Sequence, residues 1–403
     1  MKKKRVVITG LGVVSSIGIG KDEFWKNLTA GKSGIGEIAT FHTPTYGSYK
    51  GGEIKKFKPK TYTSGNLGRA SRFAIDVAKE SLDDAKLNFT DIQKNRMGIV
   101  FGTTNGDAQY LEEMDRVWVD KGESEVWAAT IAKYPVDSIA ENVARFFKIN
   151  GLSCMIPTAC AAGNYSIGRI YDLISSNKID IGIAGGADPL TRYAFAGFGR
   201  LFAMAPEKCQ PFDKNRKGMM IGEGAGALVA EEMEHALERN ANIYAEILGY
   251  GLSCDAYHMT APRVEGIVKV IERAIKNSNI KKENVDYICA HGTGTPVNDK
   301  TECEAINKVF KERTKNIFTS SIKSMLGHTM GAASAIEAVV CCLAIKNGVI
   351  PPTINFETQD SNCEINCVPN IKKVKKIEIA LNNSFAFGGN NACVAFGRKK
   401  NDK

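Results

Sequence analysis

The sequence lacks the features by which several classes of protein are recognised. No run of about twenty consecutive apolar residues occurs in its 403 residues, so no membrane span is expected. It has no CxxC pair, and none of its five histidines has a partner at metal-ligand spacing, so no metal site is predicted. Basic and aromatic residues are not interleaved as they are in nucleic-acid-binding segments, so no nucleic-acid partner is predicted either.

The cysteines and the first residues bear on the cellular compartment. The eleven cysteines are an odd number without a repeating framework, and Cys341 and Cys342 are adjacent in an apolar helix, which favours a reducing cytoplasm. Met1–Arg5 is basic, but Gly10 cuts short the apolar run that follows. That pattern is typical of a first strand and not of a signal peptide. We therefore expect a cytoplasmic protein.

The composition is that of an ordinary globular protein, with 43% hydrophobic and 24% charged residues. The length predicts two or three domains, or one large fold built from two halves. The net charge of +9 serves general solubility and also favours an acidic partner. Because no nucleic-acid pattern is present, an acidic protein is the preferred interpretation. Part of the charge lies in one run, at Lys55, Lys56, Lys58 and Lys60.

Two similar series of strands and helices follow one another along the chain. The first opens at Arg5–Gly12 and closes with the strand at Gly224–Glu231, and the second opens at Ala245–Gly251 and closes at Ala392–Phe396. Alternation of strands and helices predicts an α/β fold whose sheets are covered on both faces. The correspondence predicts a duplicated unit. We place the boundary between an N-terminal half, 1–242, and a C-terminal half, 243–403.

Cys160 stands where a short apolar stretch meets a helix of small residues. Ser153–Ile156 is typical of the end of a buried strand, and apolar residues from Ile167 to Ile174 recur at helical spacing. At a helix N-terminus, free N–H groups and the helix dipole favour a thiolate and can hold a developing oxyanion. A buried structural cysteine is the competing interpretation, because free cysteines are often buried.

A second helix, from Ala332 to Ile345, is apolar nearly all round, and a helix without a polar face is buried. Its one carboxylate, Glu337, must then find hydrogen bonds or a countercharge. The helix after Cys160 also begins with small residues, which permit close packing. We infer two central helices in contact, each directing its N-terminus at one pocket.

Two of the histidines lie in glycine-rich segments that follow strands. His291 opens the segment HGTGTPVND, and His328 lies in KSMLGHTMGAA. Because ligand-binding groups gather at strand ends in α/β folds, both imidazoles are candidates for a functional pocket. A lone histidine is more often structural, so the glycine-rich setting is what favours a function for these two.

The segments around Thr158–Cys160, His291 and His328 resemble the three signature motifs of the β-ketoacyl-acyl-carrier-protein synthases, more narrowly synthase II in the synthase I/II branch of the thiolase superfamily. The loop Asn383–Asn391, NSFAFGGNN, is a fourth match, and the resemblance covers nearly the whole chain. It implies a five-layered αβαβα sandwich of two duplicated halves, a homodimer, and no cofactor. The activity implied is decarboxylative Claisen condensation of an acyl thioester with malonyl-acyl-carrier protein in fatty-acid elongation.

The resemblance also implies roles for single residues. Cys160 is the expected nucleophile that carries the acyl chain. His291 and His328 are expected to donate from Nε2 to the thioester carbonyl of the malonyl group, for which neutral imidazole suffices. The N–H groups of Cys160 and Phe387 are expected to form the oxyanion hole.

A group of charged residues is expected to support this site. Lys323 matches the lysine of the family and is expected to organise the site electrostatically, with Asp299 and Glu302 as its partners. Glu337 matches a buried carboxylate with a structural or water-ordering role.

The acyl pocket and its gate are assigned to Asn105, Phe198, Phe385 and Phe387. Ala386 replaces the glycine that usually precedes the gating phenylalanine, and alanine resists conformations that glycine allows. An amide at Asn105, where synthase II usually has an apolar residue, disfavours a plain alkyl chain, since burying it unpaired costs about 1–3 kcal/mol. The alternative function is therefore a ketosynthase of a type II polyketide or polyene pathway acting on a non-standard chain.

Docking of the acyl carrier protein is assigned to four basic residues, Lys60, Arg69, Arg72 and Arg200. The segment Gly122–Glu125 is acidic where many relatives are basic.

Other relatives of the family are disfavoured by single residues. A thiolase has a second cysteine in the C-terminal glycine loop, where this chain has Phe387. A synthase III enzyme has asparagine in place of one histidine, and a non-catalytic chain-length factor lacks the cysteine. The complete set of Cys160, His291 and His328 favours an active condensing enzyme.

Overall fold

The computed structural model describes residues 3–41, 50–59, 67–87 and 94–399. Its strands are β1 Val6–Ser15, β2 Gly18–Ile19, β3 Gly36–Glu37, β4 Lys50–Gly51, β5 Met97–Gly102, β6 Ser153–Ile156, β7 Ile181–Asp188, β8 Gly224–Glu232, β9 Ala245–Cys254, β10 Tyr287–Cys289, β11 Phe318–Ser320, β12 Val349–Ile350, β13 Lys373–Val374, β14 Ile379–Phe385 and β15 Asn390–Gly397.

The α-helices are α1 Lys21–Thr29, α2 Arg69–Ala85, α3 Gln109–Lys121, α4 Ala128–Ile131, α5 Ser138–Phe147, α6 Ala162–Ser175, α7 Arg192–Arg200, α8 Met233–Glu238, α9 Val264–Asn277, α10 Pro296–Phe310, α11 Lys323–Leu326 and α12 Ala333–Asn347. Short 3₁₀ turns lie at Glu123–Glu125, Ala159–Ala161, Lys282–Asn284, Lys311–Asn316, Met330–Ala332 and Phe387–Gly389.

The strands of the two halves are arranged in the same order. The first half runs β1-β8-β7-β5-β6 and the second runs β9-β15-β14-β10-β11. In each half the first two pairings are antiparallel and the last two are parallel. The duplication predicted from the sequence is therefore confirmed at the level of topology.

Helices and strands form five layers. The outer helices α2 and α5 cover the strands of the first half, and α9, with α10 packed against it, covers those of the second half. Helices α6 and α12 lie between the two sets of strands and contact both. Burial on both faces explains why β1, β5, β7 and β8 are runs of apolar and small residues without alternation.

The two halves share one continuous sheet. β1 pairs with β9 over three residues, with Val6 opposite Ile247, and this joins the two strand sets edge to edge. The predicted boundary at residue 242 falls between α8 and β9. As a division into two units, 1–242 and 243–403, it stays a prediction.

The two central helices touch as expected. A Cβ placed on Gly163 of α6 would lie 2.5 Å from the backbone nitrogen of Ala335 in α12, so only glycine permits this approach. The helical stretch Met330–Asn347 is apolar enough to cross a membrane by length and composition, with mean hydropathy 1.4. Because 89% of it is buried inside the protein, it is a core helix, in agreement with the prediction for Ala332–Ile345.

Strand β6 occupies the predicted range but not the predicted environment. Of its four residues only Met155 is buried. The reason is its place at the end of the sheet: among the strands that the structure describes, β6 pairs with β5 alone. One edge of β6 is therefore left without a strand partner in the described chain.

Candidate active site

Cys160 lies in the 3₁₀ turn Ala159–Ala161 that precedes α6, with 6% of its surface exposed. Ala159 has φ +49°, a left-handed conformation that costs energy for a residue with a Cβ. Two hydroxyls hold this turn, because the Cys160 carbonyl accepts hydrogen bonds from Ser384 Oγ at 2.7 Å and Ser334 Oγ at 3.2 Å. The backbone of the candidate nucleophile, in the N-terminal half, is thus held by two hydroxyls of the C-terminal half.

His328 lies beside the thiol, with its Nε2 3.1 Å from Cys160 Sγ. The Met330 N–H donates to His328 Nδ1 at 3.1 Å, so Nδ1 is an acceptor and the proton of the neutral ring is on Nε2. Burial, with the charge of Lys323, lowers the pKa of His328 well below its usual value, which keeps the ring neutral. The imidazole therefore presents a hydrogen-bond donor to the pocket.

His291 completes the group. Its ring lies edge-to-face with His328 at 5.4 Å between centroids, and 5.7 Å from the ring of Phe385. Burial, with the charges of Lys323 and His328, lowers its pKa well below the usual value. Glu302 accepts hydrogen bonds from the N–H groups of His291 at 3.0 Å and Gly292 at 2.8 Å, so this carboxylate fixes the loop that carries the imidazole.

The thiol differs from the expectation for a helix N-terminus. Burial raises the pKa of Cys160 to about 11, although Lys323 and the N–H groups of Phe387 and Cys160 act to lower it. Desolvation thus outweighs the helix end. The N–H groups act in the expected direction, but the net pKa is raised, so the thiol and not the thiolate is the resting form at neutral pH. Both predicted oxyanion-hole donors, Phe387 and Cys160, do direct their N–H groups at the sulfur.

Lys323 forms its ion pair with Glu337, and of the two carboxylates predicted for it, Glu302 raises its pKa through charge without a hydrogen bond. Its Nζ hydrogen-bonds Glu337 Oε1, and both residues are 1% exposed. Glu337 outweighs the effect of burial and raises the pKa of Lys323, and burial raises the pKa of Glu337 to about 7. Asp299 instead accepts from the N–H groups of Phe212 and Gly294.

The hydrogen-bond partners of the buried carboxylates explain why Lys323 pairs with Glu337. Glu302 and Asp299 are occupied by backbone donors of the His291 loop and its neighbours. Glu337 projects from the fully buried α12, where a countercharge was required. The lysine satisfies that requirement, and the ion pair spans 14 residues of sequence.

A cavity of about 330 Å³ opens onto the sulfur and both imidazoles. Its walls include the predicted pocket and gate residues Phe198, Phe385 and Phe387. The ring centroids of Phe198 and Phe387 lie 5.6 Å apart at an interplanar angle of 39°, so the two rings contact each other in the cavity wall. Asn105 does not line this cavity.

The position of Asn105 depends on a residue that sequence reasoning missed. Its N–H donates to Asp188 at 3.0 Å, and Asp188 is fully buried at the end of β7. Ser334 and Ser384, which hold the Cys160 carbonyl, were missed as well. A signal did exist, because an aspartate that ends a strand of apolar and small residues must be satisfied by donors.

Three potential metal ligands converge at the site. The ligand atoms of Cys160, His291 and His328 lie within 4.8 Å of one another. A metal at His328 Nε2 needs the lone pair there and a proton on Nδ1. The Met330 N–H already donates to Nδ1, so His328 offers a donor where a metal needs a ligand. The arrangement does not fit a metal centre.

The predicted docking residues fall into different environments. Lys60 lies outside the described residues. Arg69 forms a bidentate ion pair with the buried Glu223, at 2.6 and 2.7 Å, so it supports the fold and is not available as a docking residue. Arg72 donates to the Leu67 carbonyl at 2.7 Å. Arg200 is exposed at the end of α7, where a partner could reach it.

Comparisons with known proteins agree with the geometry. Residues 3–236 match the model of the beta-ketoacyl synthase N-terminal domain, and residues 244–357 match that of the C-terminal domain. The chain is 37% identical to "3-oxoacyl-[acyl-carrier-protein] synthase 2" of Synechocystis sp., over 98% of both chains.

Two solved structures are also similar. "The ishigamide ketosynthase/chain length factor" is 42% identical with a TM-score of 0.96, over 99% of this chain and 100% of that one. A "type II PKS acyl-carrier protein in complex with its ketosynthase bound to the hexaketide" is 33% identical with a TM-score of 0.91, over 99% and 100%.

Proposed function

The chain belongs to the β-ketoacyl synthase family, and we propose that Cys160, His291 and His328 are the groups with which it carries out condensation. It is a β-ketoacyl-acyl-carrier-protein synthase that elongates an acyl chain with malonyl-acyl-carrier protein. The observation that supports these three residues is the convergence of one sulfur and two imidazoles within 4.8 Å at the base of one cavity.

Acyl transfer is the first step. Cys160 Sγ attacks the carbonyl carbon of the acyl thioester, and the negative charge that develops on the oxygen is held by the N–H groups of Cys160 and Phe387. The bond to the carrier thiol then breaks. Cys160 loses one proton and the departing carrier thiol takes up one, so the step neither consumes nor releases a proton overall.

Decarboxylation and carbon–carbon bond formation follow. The malonyl thioester loses CO₂, and the enolate oxygen that forms accepts hydrogen bonds from His291 and from Nε2–H of His328. The α-carbon attacks the acyl group on Cys160, and the Cys160 sulfur leaves and takes up one proton. The fixed tautomer of His328 supports this assignment, because it places a donor in the pocket at neutral pH.

The remaining polar residues support the donors. Burial, with the positive charge that Lys323 carries in its buried pair with Glu337, lowers the pKa of both imidazoles and keeps them neutral. Glu302 and Asp299 hold the His291 loop through its backbone. Phe198, Phe385 and Phe387 form the apolar wall and gate of the cavity. Asn105 does not line this cavity, and its proposed influence on the acyl chain is exerted through the turn that precedes α3, which Asp188 holds.

We place the acyl-carrier protein at the mouth of this cavity. The exposed Arg200 is the best placed of the predicted docking residues, and Leu201 and Phe202 beside it line the cavity with 49% and 92% of their surfaces exposed. The chain's net charge of +9 favours an acidic carrier protein.

We propose that the protein is a homodimer. The unpaired edge of β6 offers backbone donors and acceptors for a strand of a second copy. The neighbouring segment from α3 to α4 has no buried residue, and its Trp118, Val119 and Trp127 are 55%, 84% and 75% exposed. Apolar surface of this kind is typical of an interface. Sedimentation velocity should give a dimer, and Trp127→Glu should weaken it.

A cytoplasmic location is proposed on the state of the cysteines. All eleven are free, although several lie buried against one another in the core.

A second function is favoured by one comparison. The type II polyketide alternative suggested by Asn105 agrees with the 33% identity to the ketosynthase of a type II PKS. On this alternative the chain extends a non-standard acyl group in a type II polyketide pathway with the same three residues. A panel of carrier-bound chains, saturated, unsaturated and oxygenated, separates the two functions by which chain is elongated fastest.

Intact-mass measurement tests the proposed nucleophile. Wild-type protein incubated with acyl-carrier protein should gain one acyl adduct, and Cys160→Ala should gain none and lose elongation. Cys254→Ala is the matched control, because Cys254 is exposed and does not line the cavity, and it should retain the adduct. Cys160→Gln should still release CO₂ from malonyl-carrier protein. Elongation by Cys160→Ala at the wild-type rate would refute the assignment.

A further inference from the structure

Asp188 is a buried carboxylate to which the condensation mechanism assigns no step. It is the last residue of β7, directly before the loop that leads to α7, and it is fully buried. Burial raises its pKa to about 6, while backbone donors and Thr103 oppose that rise, so it is ionised at neutral pH. An ionised buried carboxylate is retained only where donors satisfy it.

Four donors converge on this carboxylate from two separate stretches of chain. Thr103 Oγ1, the Thr104 N–H and the Asn105 N–H donate to it at 2.8, 2.8 and 3.0 Å. The Gly331 N–H donates at 2.7 Å. The first three belong to the turn assigned to the acyl pocket, and the fourth belongs to the turn that follows His328.

The Gly331 contact lies next to the residue that hydrogen-bonds the His328 imidazole. The N–H of Met330, one residue before Gly331, donates to His328 Nδ1 and sets its tautomer. Met330 has φ +53°, which a residue with a Cβ adopts only when its surroundings hold it there. Asp188 accepts a hydrogen bond from the N–H of the peptide unit directly after this strained residue.

We infer that Asp188 is a positioning residue that holds His328 as an Nε2–H donor and ties it to the turn of the acyl pocket. The inference rests on the proposed function, because it concerns the role of His328. A shift of Thr103–Asn105 reaches Gly331 through the one carboxylate that both turns share. The carboxylate also lies near enough to Cys160 to act on its pKa.

The small residues around the network leave no room for another arrangement. A Cβ on Gly331 would lie 2.5 Å from the carbonyl carbon of Thr103 and 2.7 Å from Asp188 Oδ2. The two turns are therefore in backbone contact at the point where the carboxylate joins them. Because the two turns are in close contact, neither can move without displacing the other.

The test uses Asp188→Asn, which keeps the shape but turns one acceptor into a donor that faces N–H groups. Asp180→Asn is the matched control, because Asp180 directly precedes the same strand and pairs with Arg96 near the surface. Nitrogen-15 spectra of the histidine side chains report the tautomer of His328 directly. Elongation kinetics with carrier-bound chains of several lengths report the effect on catalysis.

In wild-type protein we expect His328 protonated on Nε2. In Asp188→Asn we expect a mixture of tautomers, a fall in kcat of about 100-fold, as for a small misplacement of a catalytic group, and an altered chain-length profile. Asp180→Asn should match the wild type in all three measurements. An unchanged tautomer and kcat in folded Asp188→Asn would overturn the inference.

A second variant covers the case in which Asp188→Asn does not fold. Thr103→Val removes one of the four donors and leaves the carboxylate in place, so it should alter the chain-length profile with a smaller loss of kcat. Wild-type kinetics for Thr103→Val would equally overturn the inference. Failure of the proposed function is distinguishable, because it would appear as absence of elongation by the wild-type protein.

Discussion

Cys160 Sγ and His328 Nε2 lie 3.1 Å apart although 168 residues and the boundary between two duplicated halves separate them. The tautomer of His328 makes this contact one in which the ring donates to the sulfur. The nucleophile is thus stabilised by donors from the ring and from two N–H groups, in surroundings that otherwise oppose its charge.

Alkylation of Cys160 should therefore depend steeply on pH. The thiolate is the reactive form, and burial raises the pKa to about 11, so the thiol is protonated at pH 7 and the rate should rise until about pH 11. The measurement is the rate of iodoacetamide incorporation at Cys160 by peptide mass, in a Cys254→Ser background that removes the exposed thiol. A rate that levels off by pH 8 would contradict it.

Replacing Lys323 alone should lower the free energy of unfolding more than replacing Lys323 and Glu337 together. Lys323→Met leaves a carboxylate buried without its partner, and the free energy of unfolding should fall by about 3–5 kcal/mol. Lys323→Met combined with Glu337→Leu should recover most of that loss in urea denaturation while condensation stays impaired. Equal stability of the single and double variants would show that the unpaired Glu337 is not the cause of the lost stability.

Arg69 and Arg200 should separate stability from docking. Arg69→Ala leaves the buried Glu223 without its cation and should lower the free energy of unfolding by about 3 kcal/mol, with KM for the carrier protein unchanged. Arg200→Glu should leave unfolding unchanged, raise KM and reduce its dependence on salt. Urea denaturation and steady-state kinetics at two ionic strengths check both. A raised KM in Arg69→Ala at full stability would restore its docking role.

Asn105→Ile should shift preference toward longer saturated chains. The side chain changes from an amide to an apolar group, while its N–H bond to Asp188 is kept. The measurement is the relative kcat/KM for carrier-bound chains of increasing length, with wild-type protein as reference. An unchanged profile would remove Asn105 from the acyl pocket.

Much of the fold could be predicted because it is encoded in local sequence patterns. The glycine-rich strand ends at His291 and His328 and the small-residue helix after Cys160 pointed to one pocket, and the structure brings the three together. The all-apolar α12 predicted its own burial and the need of Glu337 for a partner.

The partners themselves could not be predicted, because they depend on which faces meet in space. Several carboxylates were available to Lys323 by sequence, and the packing of α12 selected Glu337. The sequence does not reveal that Arg69 pairs with the buried Glu223, because the two residues are distant along the chain. The pKa of Cys160 is set by competition between burial and nearby donors, and the sequence reveals the donors but not the extent of burial.

The place of β9 between β1 and β15 has a consequence for the chain as a whole. Val6 lies opposite Ile247, and Gly397 lies opposite Glu246, so both stand at one end of β9 on its two flanks. Two inter-strand spacings separate them, about 10 Å. A short peptide could bridge this gap, and a circularly permuted chain opened between α8 and β9 would present the imidazole half to the ribosome first. Such a rearranged gene should yield the same catalyst, because every strand would keep its neighbours.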